Sequence, residues 1–272
     1  MIAGRRAALA CLTVLDAPPP QIVAIAAEAG FDAVTLRILD ASSRQENPLA
    51  SDTPIRRRTI AELESREMQV LDVEVLRLHA GTNLDALQPV WESAAMLGAE
   101  NVLVIDNEPE EQRFVEVMRR LCEDLAEYEM RAALEFMAFT ECKTVGQAMR
   151  IVEASEHPAA AVLVDPLHLD RSGGSPAEVK RLAAAHQERF PYAQLCDATS
   201  VAKEHGSAGL YREAVSNRLH PGEGELPLRD LIDALPPATP LSVETPVARL
   251  AALPPSERAR QAIEHTRRLL LR

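Results

Sequence analysis

Short apolar or β-branched runs alternate with longer stretches of helical period along the whole chain, and the alternation repeats eight times without a break in composition. The runs at 7–13, 33–37, 69–76, 101–105, 131–134, 160–164, 192–195 and 241–243 predict strands. The stretches at 19–29, 55–67, 84–97, 109–128, 144–154, 176–189, 228–235 and 254–271 predict helices. The strand runs are apolar throughout rather than alternating, which is the pattern of a parallel sheet buried on both faces. Glycines in AEAGFDAV and MLGAENVL stand where a helix would end before a strand opens, and Pro109 stands where a first-turn proline is tolerated. With 272 residues, of which 47% are hydrophobic, the chain suits one (β/α)8 barrel, an architecture of roughly 250 residues. We therefore expect residues 1–272 to form a single barrel domain. An open doubly wound sheet is the alternative, but no GxGxxG or phosphate-binding loop supports it.

A net charge of −12 argues against nucleic acid and anionic membranes as partners, because both need a basic face. A small solute is the expected partner, with a homo-oligomer left open. No segment reaches the ~18 consecutive apolar residues of a membrane span. The opening MIAGRRAALACL superficially has the shape of a leader peptide but equally that of a buried first strand. Cys11, Cys122, Cys142 and Cys196 show no CxxC spacing, so neither a zinc knuckle nor a disulfide framework is indicated, and a reduced cytoplasmic protein is expected.

In a (β/α)8 barrel the C-terminal strand ends surround the active site, so polar residues that close apolar strands are informative. RAALEF ends on Glu135, AAVLVDPLH on Asp165, and PLSVET on Glu244, while PYAQLCDA carries Gln194 and Asp197. Any one of these acids could simply cap the next helix. Together, three carboxylates and one amide carbonyl make an all-oxygen set suited to a hard divalent ion. Mg²⁺ or Mn²⁺ comes first, with Co²⁺ or Zn²⁺ as alternatives. His168 follows Asp165 by three residues and can point into the same mouth, either as proton carrier or as a hydrogen-bond partner of a metal carboxylate. In VLRLHAG, Arg77 can clamp a substrate carboxylate or phosphate unless Glu74 or Asp72 satisfies it, with His79 a second candidate for substrate contact.

The motifs LEF, VDPLHLDRSGG, AQLCDA, RLHPGEGELPL and LSVET occur in an order that resembles the xylose-isomerase-like TIM barrels, which include sugar isomerases and epimerases, inosose dehydratases and 3-dehydroshikimate dehydratases. The resemblance covers nearly the whole chain. It implies Glu135, Asp165, Gln194 and Glu244 as metal ligands, Glu135 and Glu244 as catalytic bases, and Arg218 as a substrate-facing residue. Gln rather than His at position 194 is closer to the dehydratase branches than to the keto-sugar epimerases. Two segments depart from the family: VTLRIL places Thr35 and Arg37 where many relatives have a Glu, and the loop FMAFTECK after Glu135 is unfamiliar.

The expected chemistry is proton abstraction next to a carbonyl, by a metal-dependent isomerase, epimerase or dehydratase of a small polyhydroxylated keto compound. His168 would carry the proton in an elimination. A non-catalytic barrel acting with a partner subunit is the alternative. Endonuclease IV-type DNA repair fits poorly, since it needs many strand-end histidines and a basic groove.

Overall fold

A computed structural model describes residues 1–39, 47–202 and 205–271. The elements run β1 (Ala7–Leu9), α1 (Pro19–Ala29), β2 (Ala33–Arg37), α2 (Pro54–Ser65), β3 (Gln69–Leu78) and α3 (Gln88–Met96). Then follow β4 (Asn101–Asp106), α4 (Glu111–Ala126), β5 (Arg131–Glu135), α5 (Val145–Ala154), β6 (Ala160–Leu163), α6 (Pro166–Arg171) and α7 (Pro176–Ala185). The chain ends with β7 (Ala193–Leu195), α8 (Gly206–Ser216), α9 (Leu228–Ala234), β8 (Leu241–Val243) and α10 (Pro255–Leu270).

All strand pairings are parallel, in the order β6-β5-β4-β3-β2-β1-β8-β7. The two ends meet where Val164 bridges Ala193 and the Gln194 amide donates to the Val164 carbonyl at 2.9 Å. The fold is a TIM barrel, as the alternation predicts. No described helix is long and apolar enough to cross a membrane.

Local chemistry sets the boundaries. Thr53, Thr144 and Ser175 each accept a backbone N–H of the helix they precede, capping α2, α5 and α7. α1 stops at Gly30, whose φ of 88° costs a residue without Cβ little, and whose N–H returns to the Ala26 and Ala27 carbonyls. The first strand is shorter than expected. At Ala10 the chain leaves the ladder, the Cys11 N–H turns to Thr35 Oγ1, and Cys11–Val14 forms a 3-10 turn. Pro109 lies ahead of α4 rather than in its first turn, since Glu110 is the residue at the cap. The sequence reading left out α6 and α8.

Apolar side chains fill two spaces. The larger core lies between sheet and helices. The smaller, inside the barrel, contains Ala8, Ala33, Leu71, Leu103, Ile105, Ala133, Leu163 and Tyr192. Side chains alternate along a strand, so the positions two beyond these inner residues also point inward, nearer the C-terminal mouth. They are Thr35 after Ala33, Glu135 after Ala133, Asp165 after Leu163, and Gln194 after Tyr192. This register gathers the polar strand ends at one rim.

Candidate metal centre

Asp165 closes β6 and caps α6, with Oδ1 accepting from the Leu167 and His168 amides at 2.7 and 3.1 Å. Its Oδ2 accepts from Arg218 Nη1. Burial alone would raise its pKa, but the Arg218 charge and the His168 contacts hold it below the ordinary carboxylate value. The same arginine reaches Glu244 at the end of β8, Nη2 to Oε2 at 2.7 Å. Gln194 donates its amide to the other Glu244 oxygen at 3.1 Å. Burial, reinforced by Glu74 and Asp165 and only partly offset by Arg218, pushes Glu244 up to about 7.

Glu135 and His168 complete the cluster. His168 Nε2 stands 3.9 Å from Glu135 Oε1, and Glu135, Asp165 and His168 can each present a ligand atom within 4.8 Å of the others. Burial, then Glu244 and Asp165, drive the Glu135 pKa well above its usual value. Burial also lowers His168 to about 4, outweighing the pull of Asp165. Both shifts disfavour the charged forms of the two groups.

Within the cluster, the buried oxygens Glu135 Oε1 and Gln194 Oε1 have no hydrogen-bond partner among the described residues. A buried acceptor left bare costs ~1–3 kcal/mol, so these atoms call for a donor or a cation. An oxygen-rich set with bare acceptors fits a divalent ion.

The cluster forms part of the wall of a cavity of ≈ 480 Å³, open to solvent, whose lining includes Arg37, Glu74, Arg77, Glu135, Met137, Phe139, His168, Tyr211 and Glu244. Phe139 packs edge-on against both His168 and Tyr211, at 5.6 and 5.9 Å between centroids.

Of the sequence candidates, Glu135, Asp165, Gln194, Glu244 and His168 come together. Arg77 lines the cavity and has no ion pair among the described residues. Arg218 differs from the expectation: it is 2% exposed and grips two acids instead of facing substrate. His79 does not join the site either, being exposed, with Nδ1 accepting the Gly81 amide within its own turn. Glu74 satisfies Arg37 rather than Arg77, at 2.8 Å, and also accepts from Thr35 and Cys11. The acid missing at the end of β2 is thus supplied by its neighbour β3, where Arg37 pairs in register with Glu74. Sequence reading missed Glu74, Phe139 and Tyr211 as cavity residues. Asp-x-Glu in β3, with both acids on the inward face, was the available signal for the first.

The PGEG segment forms a turn held by Asp197, which accepts from the Gly222 and Leu226 amides. A Cβ on Gly224 would stand 2.3 Å from the Ala198 carbonyl oxygen and Asp197 Oδ1, so only glycine fits. Beyond it, His220 is buried against His265, rings 5.0 Å apart, and takes no part in the cluster.

A closed parallel barrel with an acid and imidazole cluster at its C-terminal mouth carries that cluster at the face where barrels of this class hold their active sites. The chain belongs to the xylose isomerase-like TIM barrel family, whose profile matches residues 23–269. It is 26% identical over 229 residues to a 3-dehydroshikimate dehydratase of Pseudomonas putida, covering 80% of this chain and 34% of that protein. The chain thus spans about a third of the length of this curated relative. A solved xylose isomerase-like TIM barrel/4-hydroxyphenylpyruvate dioxygenase fusion protein superposes with TM-score 0.78 at 21% identity, over 96% of this chain and 42% of that one. The IolI protein, solved with a zinc atom, superposes equally well, with TM-score 0.78 at 17% identity over 97% and 98% of the two chains.

Proposed function

We propose that this chain is a metal-dependent dehydratase of a small polyhydroxylated cyclic keto acid of the 3-dehydroshikimate kind. The observation that carries the reading is the presence in one cavity of Arg77, without an ion pair among the described residues, together with the neutral imidazole of His168 and the acids Glu135 and Glu244. The 26% identity to a 3-dehydroshikimate dehydratase supports it.

Glu135, Asp165, Gln194 and Glu244 would hold the ion, which would polarise the substrate carbonyl and acidify the neighbouring C–H. Arg77 grips the substrate carboxylate through its planar fork and fixes the ring. His168 accepts the α-proton while the C–H electron pair moves toward the carbonyl oxygen. When that pair returns to form the carbon–carbon double bond, the β-hydroxyl is expelled. His168 gives its proton to the departing oxygen, so water leaves and the imidazole is neutral again. Phe139 covers one edge of the ring and keeps the base dry.

A second reading is epimerisation, favoured by the presence of both Glu135 and Glu244 in the lining, where one would remove the α-proton and the other return it. Incubating the Mn²⁺-loaded protein with cyclic keto acids and keto sugars, in ordinary and deuterated water, separates the two. Dehydration gives a conjugated product that absorbs in the ultraviolet. Epimerisation gives deuterium at the α-carbon without that absorbance, and would overturn the dehydratase reading.

A further inference from the structure

The guanidinium of Arg218 is caged. Nε donates to the Ala214 carbonyl at 2.7 Å, Nη1 to Asp165 Oδ2 and to Cys196 Sγ, and Nη2 lies 2.7 Å from Glu244 Oε2. The side chain is 2% exposed. Its backbone is pinned on both flanks, since the Arg218 amide donates to Pro246, Leu219 bridges Asp197, and Asn217 bridges Val247. With the backbone held, any change of place falls to the side chain.

The remaining oxygens of the same acids are also engaged: Asp165 Oδ1 by two amides at the start of α6, and Glu244 Oε1 by Gln194. Each of these two acids thus has one oxygen committed to the protein frame and one committed to Arg218. By contrast, Glu135 Oε1 and Gln194 Oε1 are bare. A divalent ion seated on the four residues finds two oxygens ready and two already holding a cation.

We infer that Arg218 is a resident counter-cation of the metal centre, which a divalent ion must displace from Asp165 Oδ2 and Glu244 Oε2, so that this arginine sets how tightly the centre binds metal. The inference rests on the metal-dependent reading given above. The positive charge of Arg218 and its claim on two ligand oxygens oppose a second cation at the same place. Once displaced, the guanidinium has the cavity beside α8 to enter, where Tyr211, Ala214 and Val215 form the wall. The arginine would then present its fork to an anionic substrate only when metal is bound.

The test is Mn²⁺ binding by calorimetry at pH 8 to the chelator-stripped protein, compared for wild type, Arg218→Gln and Arg218→Lys, with melting temperatures before and after Mn²⁺. Arg218→Gln should bind Mn²⁺ at least tenfold more tightly than wild type, while its metal-free form melts lower and recovers more on Mn²⁺ addition. Arg218→Lys keeps the charge but holds the two acids less well, and should bind a few-fold more tightly than wild type. If Arg218→Gln does not fold, the lysine variant decides, and equal or weaker binding by it overturns the inference. Equal or weaker binding by folded Arg218→Gln, with wild type binding normally, overturns it while leaving the metal-dependent reading intact. No Mn²⁺ binding by any form, wild type included, overturns both.

Discussion

His168 Nε2 and Glu135 Oε1 stand 3.9 Å apart with both side chains buried, too far for a hydrogen bond and close enough for one small atom group to bridge them. The pair can be spanned by a substrate hydroxyl, across which His168 moves a proton, or by a metal ion that both residues ligate. These outcomes differ in what removing the imidazole does.

For the proton-carrier role, His168→Ala should retain metal and lose roughly 10²–10⁴ in turnover, the usual range for a general acid or base. Metal content by elemental analysis and steady-state rates measure this together. Normal turnover on the true substrate would sink the role.

Two ligand sets share Glu135 and Asp165: one continues through Gln194 and Glu244, the other through His168. Gln194→Ala discriminates between them. If the bare Gln194 carbonyl oxygen is a ligand, Mn²⁺ affinity should fall by at least tenfold, whereas loss of the single bond to Glu244 would leave affinity nearly unchanged. Glu244→Ala should abolish binding, and full metal content in that variant would show the oxygen set to be wrong.

Arg77 lines the cavity with no ion pair among the described residues, so its charge does nothing visible for the fold. Arg77→Lys should shift stability by less than about 0.5 kcal/mol, typical of a surface change. It should raise the Michaelis constant for an acidic substrate roughly tenfold, because the charge remains but the bidentate fork is lost. A lower melting temperature with an unchanged Michaelis constant would make Arg77 structural.

How far the sequence reaches follows from where the deciding interactions lie. The strands at 33–37 and 241–243 match the structure because apolar runs between turn residues mark them locally. α8 was illegible: GSAGLYREAVS carries two glycines, and the helix is held by distant partners, Glu213 by Arg171 and Tyr211 by Phe139. In the site, Glu135, Asp165 and Glu244 were readable because each breaks an apolar strand. The destination of Arg218 was not, because it is fixed by Asp165 and Glu244, which no local pattern connects to it. Glu74 escaped because it lies inside the run at 69–76 rather than at a strand end, and nothing local shows that its acids face the barrel interior.

Metal uptake should depend steeply on pH, and the direction follows from the acids. Glu244 is pushed up to about 7, so it carries a proton at mildly acidic pH, and Glu135 is shifted in the same direction, in both cases first by burial. A carboxyl must lose its proton to ligate, so protons compete with the ion and each binding event releases them. Affinity for Mn²⁺ should therefore be weak at pH 5.5 and rise through about pH 7 as Glu244 ionises, with the raised Glu135 acting in the same direction. His168, lowered to about 4, is neutral across this range and adds no slope. Glu244→Gln keeps the shape of the side chain but removes its proton equilibrium, so the rise centred near pH 7 should disappear even if residual binding survives. Calorimetry in two buffers of different ionisation enthalpy counts the protons released. An affinity that stays flat from pH 5.5 to 8.5, with no proton release, would remove Glu244 and Glu135 from the ligand set.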